Sequence, residues 1–195
     1  VPFALWLVRP EPAALGWMPD GERIQVDRGA FVPTGTPFAE AVRSRFFLAV
    51  TIAYVLVLGA QVGGIQQLVK LVEERTDAGT PTAATTALAA TSVLARLLGG
   101  LAASRLPMAR FTIALAAVQG LSLLALAHAQ SKVAIFVIIV VFGATVGNLL
   151  MLQPLLIAER FGVLDYPRIF SRTQFTVTLG TAGGPLLLGW LHDDF

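Results

Sequence analysis

Charged residues cut this chain into long uncharged stretches. Between Arg45 and Lys70, Phe46–Val69 runs for 24 residues without a charge. As a helix that stretch is about 36 Å long, enough to cross a hydrocarbon core of roughly 30 Å with some tilt. Four more follow at about Thr82–Ser104, Phe111–Ala129, Val133–Ala158 and Thr173–Leu191, with Arg96 the one charge inside them. Core helices of soluble proteins seldom stay uncharged over such lengths, and a helix satisfies its own backbone in lipid, so the pattern predicts five membrane-crossing helices.

The links between these stretches are short. Leu71–Pro81, Arg105–Arg110, Gln130–Lys132 and Glu159–Arg172 carry turn-forming and charged residues, among them Asp77, Gly79, Pro81, Gly162 and Pro167. Links this short predict antiparallel neighbours. Upstream, Val1–Val8 is apolar but gives only about 12 Å of helix, and it reads as the tail of a membrane helix. Arg9–Arg45 holds five basic and five acidic residues with many Pro and Gly, which reads as a polar linker. Its end, Phe38–Arg45, is expected to form a short amphipathic helix along the membrane surface. The organisation expected is therefore 1–8 helix tail, 9–45 cytoplasmic loop and 46–195 transmembrane bundle, cut before a last helix. The fold class is an all-α polytopic membrane bundle.

Composition agrees and narrows the chemistry. The chain is 55% hydrophobic and 13% charged, against about 25% charged in a typical soluble domain, and its mean hydropathy is +0.73. Its 14 Lys and Arg form no run or patch, so nucleic acid is not an expected partner; the lipid bilayer is. No Cys and only His128 and His192 are present, so no metal and no cofactor are expected. The stretches hold no nucleophile–base pair and no His/Asp/Glu cluster, so an enzyme is not expected either. With Arg9–Arg45 inside, the inner side carries eleven Lys or Arg, counting Arg96 with Arg105 and Arg110 in the region between the second and third stretches, and the outer side three. The positive-inside rule then fixes the orientation.

Small and polar residues pattern the stretches further. Gly59/Gly63, Gly143/Gly147 and Gly180/Gly184 are spaced for close helix packing, and Gly184-Pro185 is expected to kink the last helix. Tyr54 and Gln61 share a face of the first stretch, Thr145 and Asn148 of the fourth, and Gln174, Thr178 and Thr181 of the fifth. They read either as interhelical hydrogen-bonding groups or as the lining of a shared polar cavity. Arg96 stands apart. A guanidinium within a span costs at least about 2.5–3.5 kcal/mol on insertion scales, and such charges mark ion and substrate pathways. The stretches offer it no acidic partner.

Ala95-Arg96-Leu97-Leu98-Gly99-Gly100-Leu101-Ala102-Ala103-Ser104-Arg105 resembles the G-R-x-x-x-G-x-x-x-D-R signature of the major facilitator superfamily in its second-half copy. Arg96, Gly100 and Arg105 fit; Ala95 replaces the leading Gly and Ser104 the acid. Arg9-Pro10-Glu11, Gly16 and Pro19-Asp20-Gly21 resemble the central loop of the oxalate/formate-antiporter and monocarboxylate-transporter branch. Asp77-Ala78-Gly79, Glu159-Arg160-Phe161-Gly162 and Gly184-Pro185…Gly189…Asp193 resemble its later loops and eleventh helix. The resemblance covers nearly the whole chain. It implies helices seven to eleven plus the tail of six, with the N-terminal half of the same transporter as the missing partner. It also implies that Arg96 binds a substrate carboxylate, with Gly100 and Arg105 as the gating motif. The proton-linked Asp of animal monocarboxylate transporters is replaced by Ser92, and the eleventh-helix Lys of oxalate exchangers is absent.

The function expected is a secondary active transporter of a small solute, an organic anion such as a mono- or dicarboxylate, working by alternating access in the cell membrane. Arg96, Tyr54, Gln61, Asn148, Gln174 and Thr178 are the expected substrate-binding residues. The alternatives are a truncated or regulatory half-transporter and an exporter of another small molecule. Orientation is testable without background because the chain lacks Cys. Cysteines placed at Gly21 and Tyr166 are expected to resist an impermeant thiol reagent in intact cells, while one at Thr76 is labelled; the reverse pattern overturns the orientation.

Overall fold

The computed structural model describes residues 34–76 and 80–194. The readings of Val1–Val8, of Arg9 to residue 33 and of Asp77-Ala78-Gly79 lie outside the described residues. Those described are helical, with no named strand among them. They form α1 (Phe38–Ala41), α2 (Arg45–Arg75), α3 (Thr80–Ala103), α4 (Met108–His128), α5 (Lys132–Phe161) and α6 (Tyr166–Asp194). Four of these, α2 to α5, are long and apolar enough to cross a membrane. α6 matches the fifth expected stretch in position and has 29 residues, but it is not among those four.

Local signals start and stop the helices. The Ser44 hydroxyl accepts from the Phe47 N–H at 3.1 Å to open α2, and Ser131 accepts from Ala134 at 3.2 Å to open α5. Such caps contribute about 1 kcal/mol each. α5 ends at Gly162, whose φ of 72° suits a residue without a Cβ. Two boundaries differ most from the sequence reading. α2 continues six residues past Val69, because Val72 is fully buried and keeps the apolar stripe going while Glu73 and Glu74 face outward. α6 begins at Tyr166 rather than near Thr173. The Asp165 carbonyl accepts from the Arg168 and Ile169 N–H groups, and Pro167 sits in the first turn, where its missing N–H costs nothing. α6 runs through Gly184-Pro185 without ending there.

The expected surface helix at Phe38–Arg45 is a single turn packed on protein. Ala41 is fully buried in a cluster with Ile157, Phe161 and Ile169, and Phe38 packs against it. The Thr36 N–H donates to the Phe161 carbonyl at 2.7 Å, and the Phe38 N–H to Asp165 Oδ2 at 2.9 Å. Arg160 and Arg168 lie over the Phe46 and Phe38 rings at 5.7 and 5.4 Å. Basic and aromatic side chains therefore share this end of the bundle.

Glycines set which helices touch. A Cβ on Gly143 would lie 2.9 Å from the Leu88 carbonyl oxygen, and one on Gly147 would run into that of Ser92. Leu88 to Ser92 and Gly143 to Gly147 advance together, so α3 and α5 run parallel. On the other side, Gly180 meets Val55 and Gly184 meets Gly59, so α2 and α6 run parallel too. α2 pairs with α5 in the opposite sense: Phe46 and Phe47 pack near Ile157 and Phe161, and Leu68 and Val72 near Ile135 and Ile139. The packing role expected of Gly59, Gly143, Gly147, Gly180 and Gly184 is thus the one they have: backbone meets backbone.

Gly147→Ala is expected to force α3 and α5 apart and to cost about 1–3 kcal/mol, the usual penalty of overpacking. Gly120, with open space where a Cβ would go, is the control. Thermal unfolding in detergent should show Gly147→Ala well below wild type and Gly120→Ala level with it.

Candidate functional site

The α3–α5 crossing gathers the most polar chemistry inside the spans. Ala95 and Arg96 on α3 face Gly147 and Asn148 on α5, and hydrogen bonds run both ways. Arg96 Nε donates to the Gly147 carbonyl at 3.2 Å, and Asn148 Nδ2 donates to the Ala95 carbonyl at 3.0 Å. Asn148 Nδ2 also holds the Ala144 carbonyl of its own helix at 2.9 Å. The Asn148 side chain fits because residue 99 is glycine: a Cβ there would collide with Asn148 Oδ1. Asn148 is 5% exposed, and its Oδ1 has no hydrogen-bond partner.

Arg96 has a different environment from Asn148. Its Nε is used by Gly147, but the side chain is exposed and has no carboxylate partner among the described residues. Its face of α3 is distinctive. Thr82, Thr86, Ala89, Val93, Arg96 and Gly100 recur at helical spacing, and all are exposed. Around the helix from them, Leu94, Leu97, Leu98 and Leu101 form an exposed leucine strip. The guanidinium therefore lies on a strip that is small and polar except at Val93, beside a bulky apolar one.

The other expected site residues fall in three places. Tyr54 is buried at the meeting of α2, α4 and α5; its hydroxyl donates to the Leu149 carbonyl at 3.2 Å and lies beside Thr112. Gln61 is buried on the same face of α2, one oxygen unpartnered. Gln174 and Thr178 are exposed on α6, where the Thr178 hydroxyl bonds the Gln174 carbonyl of its own helix. Gly100 and Arg105, the expected gating pair, are exposed at the end of α3, and nothing lies within 4 Å of where a Gly100 Cβ would be. Arg96 and Asn148 are thus brought to one crossing, while Tyr54 and Gln61 belong to the interior seam around α2.

Sequence reading passed over several polar groups. Gln119 on α4 donates to the Val57 carbonyl of α2 at 2.8 Å, and its Oε1 is buried without a partner. Thr51 Oγ1 and Gln153 Nε2 are likewise buried and unpartnered. Each is a polar residue inside an apolar stretch, which was the available signal. Arg75 ties α2 to the end of α4: it donates to the carbonyls of Leu126, Ala127 and Ala129 at 3.2, 3.1 and 2.7 Å. These are carbonyls of a helix C-terminus, which lack i+4 partners within the helix and where a cation also suits the helix dipole; Leu126 accepts from the Ala129 N–H as well. Beside them, α2 and α4 frame an open groove of about 400 Å³ lined by Ala60, Gly64, Leu68, Leu71 and Leu123. No group of acidic or histidine side chains suited to a metal occurs among the described residues.

No protein-family model matches the chain, and no curated protein matches it.

Tyr54→Phe removes one interhelical hydrogen bond and no bulk. It is expected to lower stability by about 0.6 kcal/mol, and by at most about 1.7, the range measured for such bonds in membranes. Equilibrium unfolding in detergent or bicelles checks it.

Proposed function

We propose that the chain is the second half of a secondary active transporter in the cell membrane, carrying a small organic anion such as a mono- or dicarboxylate. The observation that supports this most is the setting of Arg96. It lies well inside a membrane-length helix, exposed, without a carboxylate partner among the described residues, and on a strip that apart from Val93 is threonine and small residues, beside the adjoining leucine strip. A guanidinium facing acyl chains would be costly; one facing an aqueous path, with an anion to meet, is not. Because Nε is engaged by Gly147, the two terminal nitrogens remain to grip a carboxylate as a fork. The resemblance to the superfamily's second-half signature points the same way. On this reading a first half of the same transporter faces the strip and closes the solute site by alternating access. No cofactor, metal or enzymatic step is involved.

The test is uptake of radiolabelled mono- and dicarboxylates by the full-length transporter, with surface levels measured in parallel. Arg96→Ala should abolish uptake without lowering surface expression. Arg96→Lys, which keeps the charge but loses the planar fork, should remain impaired by at least tenfold. Wild-type rates per molecule in both variants would remove the basis of the anion assignment.

A further inference from the structure

We propose that Asn148 is the positioning residue for Arg96, and that Gly99 is the notch that lets it act. The inference rests on the anion-binding reading of Arg96 and adds to it what holds the guanidinium in place.

The argument starts from the flexibility of the side chain. Arginine has several rotatable bonds, and fixing them costs up to about 2 kcal/mol of rotamer entropy. An exposed Arg in a span can also swing toward the nearer interface, as long basic side chains do. Two contacts oppose that here. Arg96 Nε donates to the Gly147 carbonyl, and one residue along each helix Asn148 Nδ2 donates to the Ala95 carbonyl. The second contact holds the peptide from which Arg96 projects. It therefore fixes the height and rotation of α3 against α5 at the residue that matters.

Asn148 reaches that carbonyl by occupying space that only glycine leaves open. The three atoms nearest to a built Gly99 Cβ all belong to the Asn148 side-chain amide. The closest steric demand at Gly99 therefore comes from Asn148. The arrangement leaves Asn148 Oδ1 buried and unpartnered. A buried orphan acceptor costs about 1–3 kcal/mol, which offsets what the two amide hydrogen bonds, at about 0.6 kcal/mol each in membranes, contribute to packing. Holding the peptide of Arg96 gives the side chain a role beyond packing. Asn148 itself is too buried to touch a solute, so its role passes through α3.

The test is a set of variants in the full-length transporter, read by half-saturation concentration and maximal rate for radiolabelled mono- and dicarboxylates. Asn148→Ala is expected to raise half-saturation about tenfold while maximal rate and surface expression hold. Gly99→Ala should do the same by pushing the amide out. In the Asn148→Ala background, Gly99→Ala should add nothing, because the collision partner is gone; a purely structural glycine would add its full effect. Unchanged half-saturation in Asn148→Ala, with uptake abolished by Arg96→Ala, overturns the positioning role and leaves the anion reading standing. Wild-type uptake by Arg96→Ala overturns both. A Gly99→Ala defect that persists undiminished in the Asn148→Ala background also overturns the notch.

Discussion

α3 and α5 approach until their backbones touch, and the rest of the bundle is arranged around that contact. In lipid there is no hydrophobic force to press two helices together, so association depends on van der Waals fit and on polar groups that find partners. Gly143 and Gly147 provide the fit by letting the Leu88 and Ser92 carbonyls come against the α5 backbone. At that separation a short amide can bridge the helices, as Asn148 does, and Arg96 Nε reaches the α5 backbone as well. α5 is then buried along most of its length, with α2 and α4 on its other sides. The parallel α2–α6 pair repeats the device with Gly59, Gly180 and Gly184.

The same contact gives α3 two exposed faces of unlike character. The strip with Thr82, Thr86, Ala89, Val93, Arg96 and Gly100 is small and polar except at Val93; the strip with Leu94, Leu97, Leu98 and Leu101 is apolar and bulky throughout. Rotating α3 by about one residue would carry Arg96 away from its strip's present direction, since successive residues lie about 100° apart. The register of α3 on α5 thus decides where the charge points. Packing and the proposed function share one cause.

Much of this is legible in the sequence, and the illegible part has a physical reason. The uncharged stretches located α2 to α5, because lipid demands long apolar helices. Glycine pairs announced close packing, because the spacing is local to one helix. Their partners were not legible: that α6 lies on α2, far away in the chain, depends on three-dimensional register. Helix ends drifted for a similar reason. Lys70 to Arg75 looked like a link by charge, yet Val72 is buried and the helix continues. Arg96 stood out as a lone charge, and Asn148 as a mid-span amide. That the two share a crossing, and that Gly99 makes room, requires the pairing of Ala95 with Asn148, which no single stretch encodes. Gln119 is a different case, since an amide in the middle of an apolar stretch was visible and was passed over.

The central claim is that the Arg96 strip of α3 faces water and the leucine strip does not. A cysteine scan of α3 from Thr82 to Leu101, probed with a small charged thiol reagent on the protein in membranes, measures this directly. The account predicts reaction at positions 82, 86, 89, 93, 96 and 100, protection of position 93 by added carboxylate, and silence at 94, 97, 98 and 101. Reaction at the leucine positions, or silence along the whole Arg96 strip, would contradict it.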